Sequence, residues 1–109
     1  MMVDLSQFSL EGKVALITGG NRGIGKLTAI GFAKAGADVA ITSRNTPDRG
    51  LPTLEEVVGE VIGFGGKALA IAAHMGRLDQ IRDVIDKVIA EFGQIDILVN
   101  NAGTANLTP

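Results

Sequence analysis

Residues 13–25 read KVALITGGNRGIG, and the fold is decided there. The first six positions form a short, nearly continuous apolar run, the pattern of a strand covered on both faces, as parallel sheets require. A glycine cluster follows, and then residues 24–35 (IGKLTAIGFAKA) are rich in alanine and other small residues. Leu27 and Ile30 fall at helical spacing there, and Gly36 stands behind as a stop. A strand, a glycine turn and a helix in this order aim the helix's N-terminal amides and the positive end of its dipole at the turn. The natural occupant is a pyrophosphate. Glycine answers three needs at such a place: a tight turn, close approach of the phosphate to the backbone, and a helix lying near its strand. Gly19, Gly23 and Gly25 fit these needs, and Gly19, Asn21, Arg22, Gly23, Ile24 and Gly25 are the candidate contacts to a dinucleotide. Residues 20–27 (GNRGIGKL) nearly match a phosphate loop of the NTPase type, but Leu27 stands where magnesium needs a hydroxyl, and Thr28 is one position out of register.

Outward from this unit the alternation continues. Residues 38–43 (DVAITS) predict a second strand, and 45–52 (NTPDRGLP) have the composition of a surface loop. Thr53 and Glu56 have the spacing of a capping box, after which Leu54, Val57, Val58, Val61 and Ile62 fall on one helical face, with Gly65 and Gly66 as the expected end. Residues 67–73 predict a third strand. Leu78, Ile81, Ile85, Val88, Ile89 and Phe92 predict the buried face of a third helix that Gly93 stops, and 95–99 (IDILV) predict a fourth strand. The order β-α-β-α-β-α-β, with connections long enough for helices, implies parallel strands and right-handed crossovers. The expected fold is therefore α/β, the first half of a Rossmann-type doubly wound parallel sheet, as one domain over residues 1–109. The loop at 45–52 is an excursion rather than a boundary.

Composition narrows the function. The net charge is -2 with ten basic residues scattered along the chain, so a nucleic-acid partner is not expected. There is no cysteine and one histidine, His74, which argues against a metal centre. No apolar stretch approaches a membrane-spanning length and the N-terminus has no apolar leader core, so a cytoplasmic protein without membrane association is expected.

The pattern TGxxxGIG at residues 18–25, together with NNAG at 100–103 after the fourth strand, resembles the short-chain dehydrogenase/reductases. The resemblance covers essentially the whole chain. It implies an oxidoreductase moving hydride between a nicotinamide cofactor and a carbonyl or alcohol substrate, and a homo-oligomer for the full-length protein. It also implies that Asn101, Ala102 and Gly103 touch the dinucleotide. Many members carry an acid at the position of His74 to contact the adenine; His74 and the backbone around Met75 are the candidates on that side here, with His74 read as a solvated rim residue.

An NAD-selective site of this kind carries an acid at the end of the second strand, about twenty residues past the glycines. This chain has Ser43 and Arg44 there, whereas Asp38 lies at the wrong end of that strand and is read as a solvated residue. Arg44, with Arg22 opposite, offers donors to a 2′-phosphate, and Ser43 and Asn45 flank it. The expected cofactor is NADP(H) in preference to NAD(H). Reduction of a carbonyl also needs a proton donor, which the family supplies with a tyrosine beside a lysine and a serine. The chain contains no tyrosine, and Lys26 and His74 are read as remote from the chemistry, so no catalytic residue is assigned. Two readings follow: the cofactor-binding fragment of an NADP(H)-dependent oxidoreductase, or a catalytically silent nucleotide-binding or subunit-interaction module.

Overall fold

The computed structural model describes residues 9–19, 23–44 and 53–101. Seven elements alternate: β1 (Val14–Thr18), α1 (Gly23–Lys34), β2 (Asp38–Ser43), α2 (Leu54–Ile62), β3 (Ala68–Ala72), α3 (Leu78–Phe92) and β4 (Ile97–Asn100). The four strands form one parallel sheet in the order β3-β2-β1-β4. Thr18 is in register with Thr42 of β2 and with Asn100 of β4, so these strands finish at the same edge. The order in which strands are added reverses at β1, the topological point at which folds of this kind bind ligands outside the carboxyl ends of the strands.

Strand alternation divides the core in two. Ile17, Val39 and Ile41 point to the side covered by α1 and α2, where they pack with Ala29, Ala33, Leu54, Val57 and Val61. Val14, Leu16, Ala40 and Ile71 point to the other side, against Val84 and Val88 of α3. Burial on both faces explains why β1 and β2 read as unbroken apolar runs. No described helix is long and apolar enough to cross a membrane.

The helices differ in detail from the expected faces. In α1 the sheet-facing residues are Gly25, Ala29 and Ala33, while Leu27 is 70% exposed and Ile30 is half-buried. Small side chains four apart let the helix lie close to the sheet, which leaves the larger ones outside. In α2 Thr53 is the N-cap, its side chain accepting from the Glu56 N–H (3.2 Å), as the capping box requires. Leu54, Val57 and Val61 are buried, Ile62 is turned outward, and the helix ends at Gly63 rather than at Gly65 and Gly66. In α3 the buried residues are Val84 and Val88, while Leu78, Ile85 and Ile89 are exposed and Ile81 and Phe92 are half-buried. The apolar stripe of α3 is wider than its contact with the described strands, and Leu98 of β4 is itself exposed. Strands β3 and β4 are one and two residues shorter at their N-terminal ends than the sequence pattern predicts.

Polar side chains close the amino-terminal edge of the sheet. The Asp96 carboxylate accepts from the Val14 N–H (2.8 Å) and from Gln94 Nε2 (2.7 Å), while the Asp96 N–H donates to the Val14 carbonyl (2.9 Å). Gln94 Nε2 also donates to the Gly12 carbonyl (2.8 Å). Asp38 is not merely solvated: its carboxylate accepts from the Lys67 N–H (3.2 Å), tying β2 to the start of β3. The bond from the Val14 amide, then that from Gln94, with a smaller contribution from the charge of Lys13, holds the Asp96 carboxyl below its ordinary value against the opposing effect of burial.

Two outcomes are expected. Ile17→Ala removes a fully buried side chain and lowers stability by about 2–5 kcal/mol, whereas Leu27→Ala changes it by no more than about 0.5 kcal/mol, as measured by chemical denaturation. Asp96 has a lower pKa folded than unfolded, so its contribution is full above the ordinary carboxylate range and is lost as pH falls through the depressed value. Asp96→Asn should accordingly flatten the acid limb of the stability–pH curve; an unchanged limb would refute this assignment.

Candidate nucleotide-binding site

The site is built where β1 ends. Thr18 is 2% exposed, and its hydroxyl accepts from the Asn101 N–H (2.9 Å) and donates to Asn100 Oδ1 (2.9 Å). The turn after β4 is thereby fixed against the end of β1. Gly19 follows with φ +68°, a left-handed conformation that favours glycine, and its N–H donates to the Thr42 carbonyl (2.6 Å). Helix α1 then starts at Gly23, so its first amides lie at the same edge.

Gly25 shows why a third glycine is needed. A Cβ there would press on the Gly19 carbonyl oxygen, with the Gly19 carbonyl carbon at 3.0 Å and Asn101 Nδ2 at 3.2 Å. The glycine turn, α1 and Asn101 therefore meet at one point. At Gly23 no group of the described residues lies within 4 Å of an added Cβ. Ile24 is 76% exposed on the first turn of α1. Asn21 and Arg22, which belong to the same turn in the sequence, lie outside the described residues, as do Asn45, Ala102 and Gly103.

Beyond β1 the same edge continues through the ends of β2 and β3. Ser43 is half-buried and Arg44 exposed at the end of β2, and the Ser43 carbonyl accepts from the Ala73 N–H (2.8 Å). This bond brings the residues after β3 beside Arg44. His74 is exposed, but it is not a freely solvated rim residue. Its Nδ1 accepts from the Gly76 N–H (3.0 Å), and its own N–H donates to Gln80 Oε1 (2.5 Å). Met75 is half-buried, with its side chain against the core on the α3 side, which leaves backbone as its offering to the edge.

The two substitutes weighed for catalysis are engaged elsewhere. Lys26 Nζ pairs with Glu60 of α2 at 3.2 Å, and the His74 imidazole is part of the turn after β3. The Thr28 hydroxyl donates to the Ile24 carbonyl (2.7 Å) within α1, which fits the failed phosphate-loop register. Sequence reading missed three participants, Thr18, Asn100 and Gln80. A threonine closing a buried strand carried a signal, since its hydroxyl must find partners inside the protein. Gln80 carried none, because its role depends on how α3 meets the turn after β3.

A parallel sheet with a glycine turn at its switch point defines a Rossmann-type nucleotide-binding fold. Residues 13–109 match the family model of the short chain dehydrogenases, and the chain belongs to that family. Versicolorin reductase 1 from Dothistroma septosporum is 41% identical over 101 residues, which cover 93% of this chain and 37% of that protein. A short chain dehydrogenase from Mycobacterium thermoresistibile superposes with TM-score 0.84 and 39% identity, over 92% of this chain and 36% of the other. One from Mycobacterium paratuberculosis, bound to NAD, superposes with TM-score 0.79 and 30% identity, over 93% of this chain and 42% of the other. The chain thus spans between 36% and 42% of the length of these relatives.

If Gly25 holds α1 against the turn as its contacts indicate, Gly25→Ala should weaken dinucleotide binding at least about tenfold in a fluorescence titration. A displacement equivalent to about 1.4 kcal/mol suffices. Gly31→Ala, on the same helix with nothing within 4 Å of its added Cβ, should leave binding unchanged.

Proposed function

We propose that this chain supplies the adenosine-phosphate half of an NADP(H) site in an oxidoreductase that acts on a carbonyl or alcohol. The observation that carries the reading is the convergence at one sheet edge of the Gly19 turn, the start of α1 and Asn101, with Arg44 next along that edge. The open space beside Gly23 and the amides at the start of α1 suit a pyrophosphate, and the close packing at Gly25 keeps those amides against the turn. Gly19, Gly23, Ile24 and Gly25 would line it, with Asn21 and Arg22 from the same turn, and Asn101, Ala102 and Gly103 would approach the ribose nearer the nicotinamide.

Preference for the phosphorylated cofactor rests on the end of β2. A carboxylate there would accept from the ribose hydroxyls, whereas Arg44 offers a planar set of donors to a 2′-phosphate. Ser43 and Asn45 adjoin it in the sequence, and Arg22 of the glycine turn would approach the same phosphate. The relative bound to NAD shows that the fold accommodates the unphosphorylated dinucleotide in another member, so the distinction falls to these side chains. When bound, the cofactor supplies hydride chemistry; this chain's own residues orient it and neutralise its phosphates. None of the 109 residues is a tyrosine, and no proton donor to the substrate is assigned among them. Self-association of the longer protein, a cytoplasmic location and the absence of nucleic-acid or membrane partners belong to the same proposal.

NADPH is expected to bind more tightly than NADH, and Arg44→Asp to reverse the order. Loss of a charge-assisted bond to the phosphate corresponds to about 10- to 100-fold in NADPH affinity. Equal affinities of the unaltered protein for the two cofactors in a titration would refute the preference.

A further inference from the structure

Strand β3 ends the sheet on the side away from β4, and its outer backbone is open. The Val39 N–H donates to the Lys67 carbonyl (3.0 Å) and the Ala73 N–H to the Ser43 carbonyl (2.8 Å), so residues 67, 69, 71 and 73 turn their backbone groups toward β2. Alternation along a parallel strand then aims the N–H and carbonyl of Ala68, Ala70 and Ala72 outward, where no described residue meets them. Sheet edges are ordinarily blunted by a proline, a bulge or a charged side chain. Strand β3, ALAIA, has none of these, and its pairing with β2 is unbroken along its length.

The flanks of this edge are matched to a second copy. On one face an open groove of about 540 Å³ lies between β3 and Lys87, Ala90 and Glu91 of α3. Helix α3 returns against the strand direction, so Lys87 stands toward the carboxyl end of β3 and Glu91 toward its amino end. Both are exposed, and Lys87 also pairs with Asp83 one turn earlier (2.9 Å). On the other face α2 turns Glu60 toward Lys26 of α1 (3.2 Å). Two residues on, Ile62 lies on the opposite flank of that helix, the β3 side, and is 51% exposed.

We propose that β3 is a dimerisation edge, pairing antiparallel with β3 of a second copy about a two-fold axis through Ala70. That axis, normal to the sheet, sets Ala70 against its own counterpart and Ala68 against Ala72 of the other copy, so the outward groups satisfy one another. It also turns α3 end for end, and Lys87 of each copy faces Glu91 of the other across the joined strands. Parallel pairing of the same edges would put the two α3 helices on opposite faces of the sheet, where these charges cannot meet. The exposed Ile62 side chains of both copies then flank the joined strands on the α2 face. This supplies a surface for the self-association proposed with the function, and it stands apart from the cofactor reading.

Sedimentation velocity at micromolar concentration tests the proposal, with cross-linking as a second readout. The unaltered protein is expected to be a dimer. Ala70→Pro removes an outward N–H while keeping the bonds to β2, so it should give a folded monomer. Lys87→Glu should raise the dissociation constant about 2- to 10-fold, and adding Glu91→Lys, which restores the pairs with their signs exchanged, should bring it back. The chain has no cysteine, so a single introduced one reports the register. Ala70→Cys, set against its counterpart at a Cα separation of about 5.5 Å, should form a disulfide dimer on oxidation, and Leu98→Cys on the opposite outer strand should not.

A monomeric unaltered protein, a dimer that Ala70→Pro leaves intact, or cross-linking at position 98 rather than 70 overturns the proposal. Should Ala70→Pro fail to fold, the two cysteine variants decide. A monomer that binds NADPH overturns the dimer and leaves the cofactor reading standing, and a dimer that binds no dinucleotide does the reverse.

Discussion

The buried hydroxyl of Thr18 is the constraint on which the site depends. At 2% exposure it cannot rely on water, and leaving such a group without partners costs about 1–3 kcal/mol, so its bonds to Asn100 and Asn101 decide how the chain leaves β4. Those bonds hold the second turn against the first. Because Asn101 also lies against Gly25, the start of α1 is fixed by the same group of atoms. Two segments more than 80 positions apart thus form one structure, and it stands at the switch point of the sheet.

The two edges of the sheet use polar groups differently. At the amino-terminal edge Asp96, Gln94 and Asp38 spend their acceptors and donors on the backbone, joining neighbouring strands and leaving a closed surface. At the carboxyl-terminal edge Thr18 and His74 turn acceptors toward backbone amides of the adjoining turns, while the amides opening α1 and the exposed Arg44 lie along the same edge. Parallel strands create this polarity, since every strand finishes at the same edge. Donors of net positive character gathered there suit an anionic ligand.

Much of this was legible in the residues. The strand–glycine–helix unit at 13–25 and the run of alternating elements give the order of the fold, and the capping box at Thr53 and Glu56 marks the start of α2 within a residue. The faces of α1 and α3 were less legible. Helical periodicity identifies an apolar stripe but not how wide a surface it meets, so Leu27, Ile85 and Ile89 join the stripe by spacing and lie outside by geometry. The turn after β3 was the least legible. No spacing rule says that a histidine will take the acceptor role usual for aspartate, or that Gln80 will reach back to it, because both follow from where α3 docks.

The central claim is that NADP(H) lies along the carboxyl-terminal edge from the β1 turn to the end of β3. Mapping backbone amide shifts by NMR as NADPH is added to the isotope-labelled protein tests it most directly. The expected result is a continuous set of perturbed amides including Gly19, Gly25, Arg44, His74 and Asn101, with Gly12, Lys67 and Asp96 at the opposite edge unmoved. Perturbations confined to the outer surface of α1 and α2 around Leu27 and Phe64, or none at saturating cofactor, would contradict it.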